Sequence, residues 1–238
     1  MTNYFGSIAS TPGKTGKHYY SKFFQYYNID AEYIPLKANN VDELLEHLLI
    51  KKFSGLNISM PFKQQVIKYL QVSSQDVDFY NSCNTVKIFD GELRGFNTDI
   101  KGVLKIVSTL LKNDHVIVLG NGSMGKTFVK ALTKYGFTHS VISKSLNNWD
   151  KRHTKCDVLI NCTSLGTSSN LSPIDYVNAS RVVHDLAING VKLGEMCKSV
   201  RYVSGLSFYK DVFLEQFFIH TNIRPDEDYF DYLTKLIE

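Results

Sequence analysis

The hydrophobic positions follow two periods. Short runs at residues 4–8, 31–34, 55–58, 85–89 and 92–95 are rich in apolar, β-branched and aromatic side chains and end at turn formers, the pattern of strands. Asp90-Gly91, between the last two, is a hairpin signal, because both residue types tolerate positive φ. Between these runs the spacing changes to that of helices near residues 19–27, 41–51 and 62–70. This makes an α/β domain of the first hundred or so residues. After Asp99, the positions Ile100, Val103, Leu104, Val107 and Leu111 line one face of a helix long enough to lead into a second domain. There the chain becomes strand, glycine turn and helix from His115 to Tyr135, with further strands expected at 140–143, 157–161, 181–184 and 202–203. Strands alternating with helices imply a parallel sheet with right-handed crossovers. Amphipathic helices at 208–221 and 228–237 close the chain, with no internal repeat.

Composition narrows the function classes. Of the 238 residues, 43% are hydrophobic and 21% charged, which suits a soluble globular protein. The net charge of +4 comes from scattered lysines, so a nucleic acid is not the expected partner, whereas an anionic small molecule is. No apolar run reaches the roughly 18–20 residues of a spanning helix, and the start of the chain lacks a signal-peptide core, so no membrane partner and a cytoplasmic location are expected. The four cysteines have no C-x-x-C spacing and the seven histidines are dispersed, so no metal site is expected. Monomer and homodimer both stay open.

The glycine turn, Gly120-Asn121-Gly122-Ser123-Met124-Gly125-Lys126-Thr127, satisfies two motifs at once. It reads as G-x-G-x-x-G, the dinucleotide fingerprint, and as G-x-x-x-x-G-K-[ST], the phosphate loop of ATP-dependent phosphotransferases. Both set phosphate on free backbone N–H groups at a helix start, so the motif alone does not decide. A phosphotransferase also needs a carboxylate for Mg²⁺ at a strand end, where Asp185 is the one fair candidate. A dinucleotide fold uses the end of its second strand to read the adenosine ribose. Here that end is Ser143-Lys144-Ser145, a cation between hydroxyls, which suits the 2′-phosphate of NADP better than the free hydroxyl of NAD. The dinucleotide reading is therefore preferred.

Three segments of the first domain carry the remaining chemistry: Asn57-Ile-Ser-Met-Pro-Phe-Lys63, Asn81-Ser-Cys-Asn-Thr-Val86 and Gly95-Phe-Asn-Thr-Asp99. They supply a lysine, an acid and several short amides at chain turns, the groups needed to hold a polyhydroxylated ring and move a proton. Pro61 suits the first turn of a helix and would set Lys63 at its electropositive end, where a cation is disfavoured. Asp99, at a helix start after Thr98, is favoured there as a carboxylate. Taken singly, each residue is more often a surface lysine, a helix cap or a turn residue.

Together the segments resemble, in order and spacing, the N-V-T-x-P-x-K, G-A-x-N-T and G-x-N-T-D patterns of the shikimate dehydrogenase family. The likeness continues in Asn161-Cys-Thr-Ser-Leu-Gly166, similar to N-A-T-x-x-G, and in Asp185-Leu-Ala-Ile-Asn189, similar to D-x-x-Y-x-P. It implies a substrate domain over residues 1–100, a Rossmann-like NADP domain over 101–205, and helices in 206–238 that return to the first domain. It also implies an oxidoreductase for a small-molecule cyclic keto acid or polyol. Lys63 would give the proton, with Asp99 as its partner, and Asn57, Ser59, Asn84 and Lys14 would bind substrate. Gly120, Asn121, Gly122, Ser123, Gly125, Ser143, Lys144, Ser145, Thr163, Gly205 and Phe208 would bind NADP. The chain departs from the family where the far side of the ring is read: Lys14 and Gly16 stand for the serines of S-x-S-P, or a gap makes Thr11-Pro12 the remnant of its Ser-Pro, and Ile188 stands for the tyrosine and Val212 for the glutamine. Gln216 lies one helical turn too far to replace the last. An altered ring substrate is the resulting expectation. The competing reading is a basic Lys14–Lys17 loop whose lysines bind the same carboxylate as those serines. A phosphotransferase, or an NADPH-binding relative without catalysis, is the alternative.

Overall fold

The computed structural model describes residues 2–40, 42–43, 53–166, 171–188 and 191–236. The helix expected at 41–51 lies outside the described residues except for 42–43, and Asn189 does as well. The chain divides into two compact units, one of Met1–Thr98 with Phe213–Glu238 and the other of Asp99–Val212.

The first unit holds a mixed six-stranded sheet in the order β2-β1-β3-β5-β6-β4. Its strands are β1 Asn3–Ala9, β2 Ala31–Lys37, β3 Phe53–Ile58, β4 Val72–Ser73, β5 Thr85–Phe89 and β6 Glu92–Phe96. Helix α1, Thr15–Tyr26, joins the parallel pair β1 and β2. A short helix α2, Gln75–Tyr80, is capped by the Ser74 hydroxyl, which accepts from the Val77 N–H. The β5–β6 hairpin turns at Asp90-Gly91 with φ of 50° and 81°, as the left-handed tolerance of these residues predicts.

Residues 62–70 do not form the expected α-helix. The chain turns after Ser59, the Met60–Pro61 peptide is cis, and a 3₁₀ segment follows at Gln65–Tyr69. Lys63 therefore lies in a turn and not at a helix N-terminus, and the helix-dipole argument for it lapses. Pro61 meets the turn in place of a first helical position, which the sequence pattern could not distinguish.

One side of the first unit is an aromatic core. Tyr19, Tyr20 and Phe23 of α1 are fully buried with Phe213, Phe217 and Phe230 from the end of the chain. Tyr19 stacks on Phe230 with centroids 4.2 Å apart, and Phe23 meets Phe213 edge-on at 5.0 Å. Each such ring contributes about 1.5–3 kcal/mol through burial. That burial holds the end of helix α6, Gly205–Thr221, from Phe213 on, and helix α7, Glu227–Lys235, within the first unit. Asp226 caps α7 by accepting from the N–H groups of Asp228 and Tyr229.

The second unit is an all-parallel sheet in the order β11-β10-β9-β7-β8. Its strands are β7 His115–Leu119, β8 Thr138–Ile142, β9 Cys156–Asn161, β10 Ala179–Asp185 and β11 Arg201–Val203. Helices α3 Asp99–Ser108, α4 Ser123–Lys134 and α5 Val191–Met196 belong to the same unit. The central strand β7 reads Val-Ile-Val-Leu without polar interruption and all four residues are buried, as a strand covered on both faces requires.

Candidate active site

In the first unit, backbone pairing gathers the three motif segments at one end of the sheet. The Ile58 N–H donates to the Asn84 carbonyl at 2.8 Å, the Cys83 N–H to the Lys63 carbonyl at 2.8 Å, and the Asn84 N–H to the Phe96 carbonyl at 3.1 Å. The Ser59 N–H donates to the Ile8 carbonyl and the Ser10 N–H to the Met60 carbonyl, so the end of β1 joins the cluster. Lys63 is half-buried and Ser59 exposed. Asp99 is the buried first residue of α3, directly after Thr98.

The two asparagines expected to touch substrate sit deeper than the sequence suggests. Asn84, 2% exposed, donates from Nδ2 to the Thr98 hydroxyl at 3.0 Å and accepts at Oδ1 from the Thr98 N–H at 2.8 Å and the Thr85 hydroxyl at 2.9 Å. Gln216 completes this knot, giving hydrogen bonds to the Thr85 hydroxyl at 3.1 Å and the Asn84 carbonyl at 3.4 Å. Asn57, 9% exposed, donates from Nδ2 to the hydroxyls of Tyr33 and Tyr20 at 3.0 and 3.3 Å. Its Oδ1 faces His220 Nε2 at 2.9 Å. An amide oxygen only accepts, so His220 carries its proton on Nε2. Burial, with the Lys87 charge nearby, pushes the His220 pKa down to about 3, and the ring is neutral. Burial pushes the Tyr33 phenol up to about 12.

Asn57 is thus a framework residue that ties α1, β2 and α6 together, with both amide protons used. Tyr20, Tyr33 and His220 were missed by the sequence reading, since nothing in local spacing marks a partner 37, 24 or 163 residues away. Asn97 was missed as well. It is buried, and among the described residues neither polar atom of its side chain has a hydrogen-bond partner, although its place in G-x-N-T-D reads as a plain turn. Lys14 occupies the N-cap position of α1, exposed, and Gly16 and Lys17 belong to the first turn of that helix rather than to a basic loop.

In the second unit the glycine turn joins the end of β7 to the start of α4. Gly120 has a φ of +100°, and a Cβ there would meet the backbone of Cys162 and Thr163 at 3.1–3.2 Å. A Cβ on Gly125 would lie 2.0 Å from the Gly120 carbonyl oxygen. Gly122 is the N-cap of α4 and makes no side-chain cap, which suits a helix start that meets phosphate. Asn121 precedes it, half-buried. The turn therefore fits a dinucleotide pyrophosphate, with a bare backbone where side chains would intrude.

At the end of β8, the buried Ser143 hydroxyl accepts from the Leu146 N–H at 3.2 Å and meets the Ser145 hydroxyl at 3.0 Å. Lys144 and Ser145 are exposed. The Thr163 hydroxyl donates to Asn161 Oδ1 at 2.7 Å. Gly205 starts α6 where a Cβ would lie 2.7 Å from the backbone of Leu186 and Ala187. The Phe208 ring fills the space over Gly102, 2.6 Å from where a Cβ would stand, and its centroid is 6.4 Å from that of Phe128.

The phosphotransferase alternative fails on its own residues. The Thr127 hydroxyl, which would face Mg²⁺, is turned back onto the Ser123 carbonyl at 3.0 Å. Asp185 accepts from Asn161 Nδ2 at 2.8 Å, the Ala187 N–H at 3.1 Å and the Tyr202 hydroxyl at 3.1 Å, and burial raises its pKa. It is a structural carboxylate.

Residues 17–86 match the model of a shikimate dehydrogenase substrate binding domain. Over 234 residues, 87% of either chain, the sequence is 30% identical to a shikimate dehydrogenase (NADP(+)) of Pyrococcus abyssi. Among solved structures, shikimate 5-dehydrogenase of Thermus thermophilus in complex with NADP(H) and shikimate shares the fold, with a TM-score of 0.81 at 18% identity over 99% of both chains. The fold also recurs, with a TM-score of 0.77 at 18% identity over 100% of this chain and 99% of the other, in a 5-ketofructose reductase of a Gluconobacter strain.

Proposed function

The chain belongs to the shikimate dehydrogenase family, and from that premise we propose that it is an NADP-dependent oxidoreductase that reduces a cyclic keto acid to its alcohol. One observation carries the reading. A single chain joins the substrate-domain match at 17–86 to a parallel sheet whose glycine turn has no room for a Cβ at Gly120 or Gly125 and opens a helix at Gly122. Residues 1–100 with 206–238 serve the substrate, and 101–205 serve the cofactor.

Asn121, Gly122 and Ser123 meet the pyrophosphate at the start of α4, and Gly120 and Gly125, where a Cβ has no room, let it approach, the Gly120 N–H itself donating to the Ile142 carbonyl at 2.8 Å. Lys144, with Ser143 and Ser145, meets the 2′-phosphate, and Thr163, Gly205 and Phe208 shape the nicotinamide end. When bound, the cofactor supplies the hydride. Lys63 gives its proton to the carbonyl oxygen as that oxygen becomes a hydroxyl, and Asp99 is the second proton-handling group. Ser59 and Asn84 orient the ring, with Asn57 fixing the wall behind them, and Lys14 supplies charge for an anionic substituent. The free cysteines, of which Cys83, Cys156 and Cys197 are buried, suit the reducing cytoplasm. Among the described residues no helix is long and apolar enough to cross a membrane.

The finer part of the proposal is an altered ring substituent. Ile188 and the buried Val212 stand where the family places a tyrosine and a glutamine. Gln216, the nearest alternative, is committed to Asn84 and Thr85. Each lost partner of a buried carboxylate costs about 1–3 kcal/mol. The test follows NADPH absorbance with a panel of cyclic keto acids, and the reverse reaction with shikimate. Turnover of at least one keto acid is expected, and its absence with NADPH bound would overturn the oxidoreductase reading. A kcat/KM for shikimate of about 10⁴ M⁻¹s⁻¹ or more would return the chain to ordinary shikimate dehydrogenase activity.

A further inference from the structure

A row of buried polar groups crosses the closing end of the parallel sheet in the second unit, and the roles above give it no task. In the register of the sheet, Asp185 of β10 lies beside Asn161 of β9, and Asn161 beside Leu119 of β7, the residue before the glycine turn. Tyr202 of β11 lies beside Val183, two residues before Asp185 and so on the same face. The Tyr202 hydroxyl donates to Asp185 Oδ2 at 3.1 Å. Asn161 Nδ2 donates to Asp185 Oδ1 at 2.8 Å, and the Thr163 N–H and hydroxyl donate to Asn161 Oδ1 at 3.0 and 2.7 Å.

The direction of each hydrogen bond is set from one end. The Ala187 N–H, which can only donate, meets Asp185 Oδ1 at 3.1 Å, so this oxygen accepts. Asn161 must then turn its N–H2 to the carboxylate and its oxygen to Thr163. An amide oxygen only accepts, so the Thr163 hydroxyl gives its one proton to it. The Thr163 oxygen is left as an acceptor. It takes the Leu165 N–H at 3.3 Å and, with two lone pairs, has room for one more donor on a half-buried side chain that a ligand can reach.

The fold alone does not call for such a row. Asn161 and Asp185 are 0% and 1% exposed, and an apolar pair of similar volume would fill the place without desolvating a charge. Burial pushes the Asp185 pKa up, while the donors from Ala187, Asn161 and Tyr202 oppose that rise. What the row provides is a fixed polarity at Thr163, beside the glycine turn, where a Cβ on Gly120 would lie 3.2 Å from the Thr163 nitrogen.

We infer, resting on the NADP reading of the glycine turn, that Tyr202, Asp185 and Asn161 are positioning residues for the nicotinamide end of the cofactor, holding the Thr163 oxygen as an acceptor for the carboxamide N–H2. Three ligands separate the parts of this statement. NADP⁺ brings the amide donor. Its nicotinic acid counterpart brings a carboxylate, which has no donor to offer an acceptor. Adenosine 2′,5′-bisphosphate lacks the nicotinamide half altogether.

Calorimetric titration of the full chain with these three ligands is the test, and it needs no turnover. The wild type should bind NADP⁺ about tenfold or more tighter than the nicotinic acid form. Tyr202→Phe, which removes one hydroxyl, should narrow that preference to about threefold or less, with adenosine 2′,5′-bisphosphate bound as in the wild type. Thr163→Val, which keeps the shape and removes the oxygen, should abolish the preference. Equal wild-type affinity for NADP⁺ and its acid form, a preference that Tyr202→Phe leaves intact, or equal weakening of all three ligands in Tyr202→Phe, the mark of a merely structural change, would each overturn the inference. In those results NADP⁺ still binds the wild type, so the dehydrogenase reading stands; a wild type that binds none of the three would remove that reading and the inference with it.

Discussion

On the proposed reading, recognition in the first unit depends on side chains that are themselves held by other buried side chains. In the second it depends on backbone kept bare. Asn84 is fixed by Thr85, Thr98 and Gln216, and Asn57 by Tyr20, Tyr33 and His220, so each amide needs partners from distant parts of the chain. The glycine turn needs little beyond Gly120 and Gly125, where a Cβ has no room. A side-chain site can drift in specificity by changing one partner while its framework persists, as the replacements at Ile188 and Val212 suggest. A backbone site keeps its ligand class as long as its glycines remain.

The largest expected effect separates the units by function. Lys63→Ala should lower kcat by about 10²–10⁴-fold with NADPH affinity unchanged, measured by steady-state rates and by energy transfer to bound NADPH. Wild-type turnover in this variant would break the division of labour. The converse is Gly125→Ala, whose new Cβ would fall 2.0 Å from the Gly120 carbonyl. NADPH binding should weaken by about 10²-fold while the fold, read by circular dichroism, persists. Preserved affinity would show that the turn is not the phosphate site.

Within the second unit, Lys144→Ala should remove most of a preference for NADPH over NADH of roughly one to two powers of ten, the worth of one charge-assisted hydrogen bond. Equal affinities in the wild type would sink that assignment. Gly55→Ala tests the first unit's framework, because a Cβ there would stand 2.2 Å from His220 Nδ1. Displacing the ring should cost about 1–3 kcal/mol and lower the melting temperature by several degrees, roughly 2–4 °C per kcal/mol at this size.

The smallest effect is a pH slope. His220 has its pKa lowered to about 3 in the fold, from an ordinary value of 6.5, so between these values the unfolded chain binds the extra proton. Stability is complete above about pH 6.5 and declines as pH falls toward 3. His184, lowered to about 4, adds to the slope in the same direction. His220→Gln should therefore flatten only part of it in denaturant titrations at several pH values, and an unchanged slope would remove His220 from the account.

Much of this molecule was written locally. The strands at 85–89 and 115–119, the Asp90-Gly91 turn, the glycine turn and the Asp99 helix all follow from spacing and φ preference within a few residues. The family motifs, being contiguous, were legible in the same way. The turn at residues 59–63 was not, because Pro61 suits a helix start and a turn equally well until the neighbouring strands fix which one the chain can make. Nor did the sequence indicate that Asn57 would be enclosed by Tyr20, Tyr33 and His220, that Asn97 would be buried with an unpartnered amide, or that His184 would face a cavity beside Arg201. By itself the sequence determined what one residue and its near neighbours decide: period, turn chemistry, the absence of Cβ where phosphate must approach. Only the tertiary structure decided which buried polar groups find partners, because hydrogen-bond satisfaction in an interior depends on residues that the fold, and not the chain order, brings within 3 Å or so of each other.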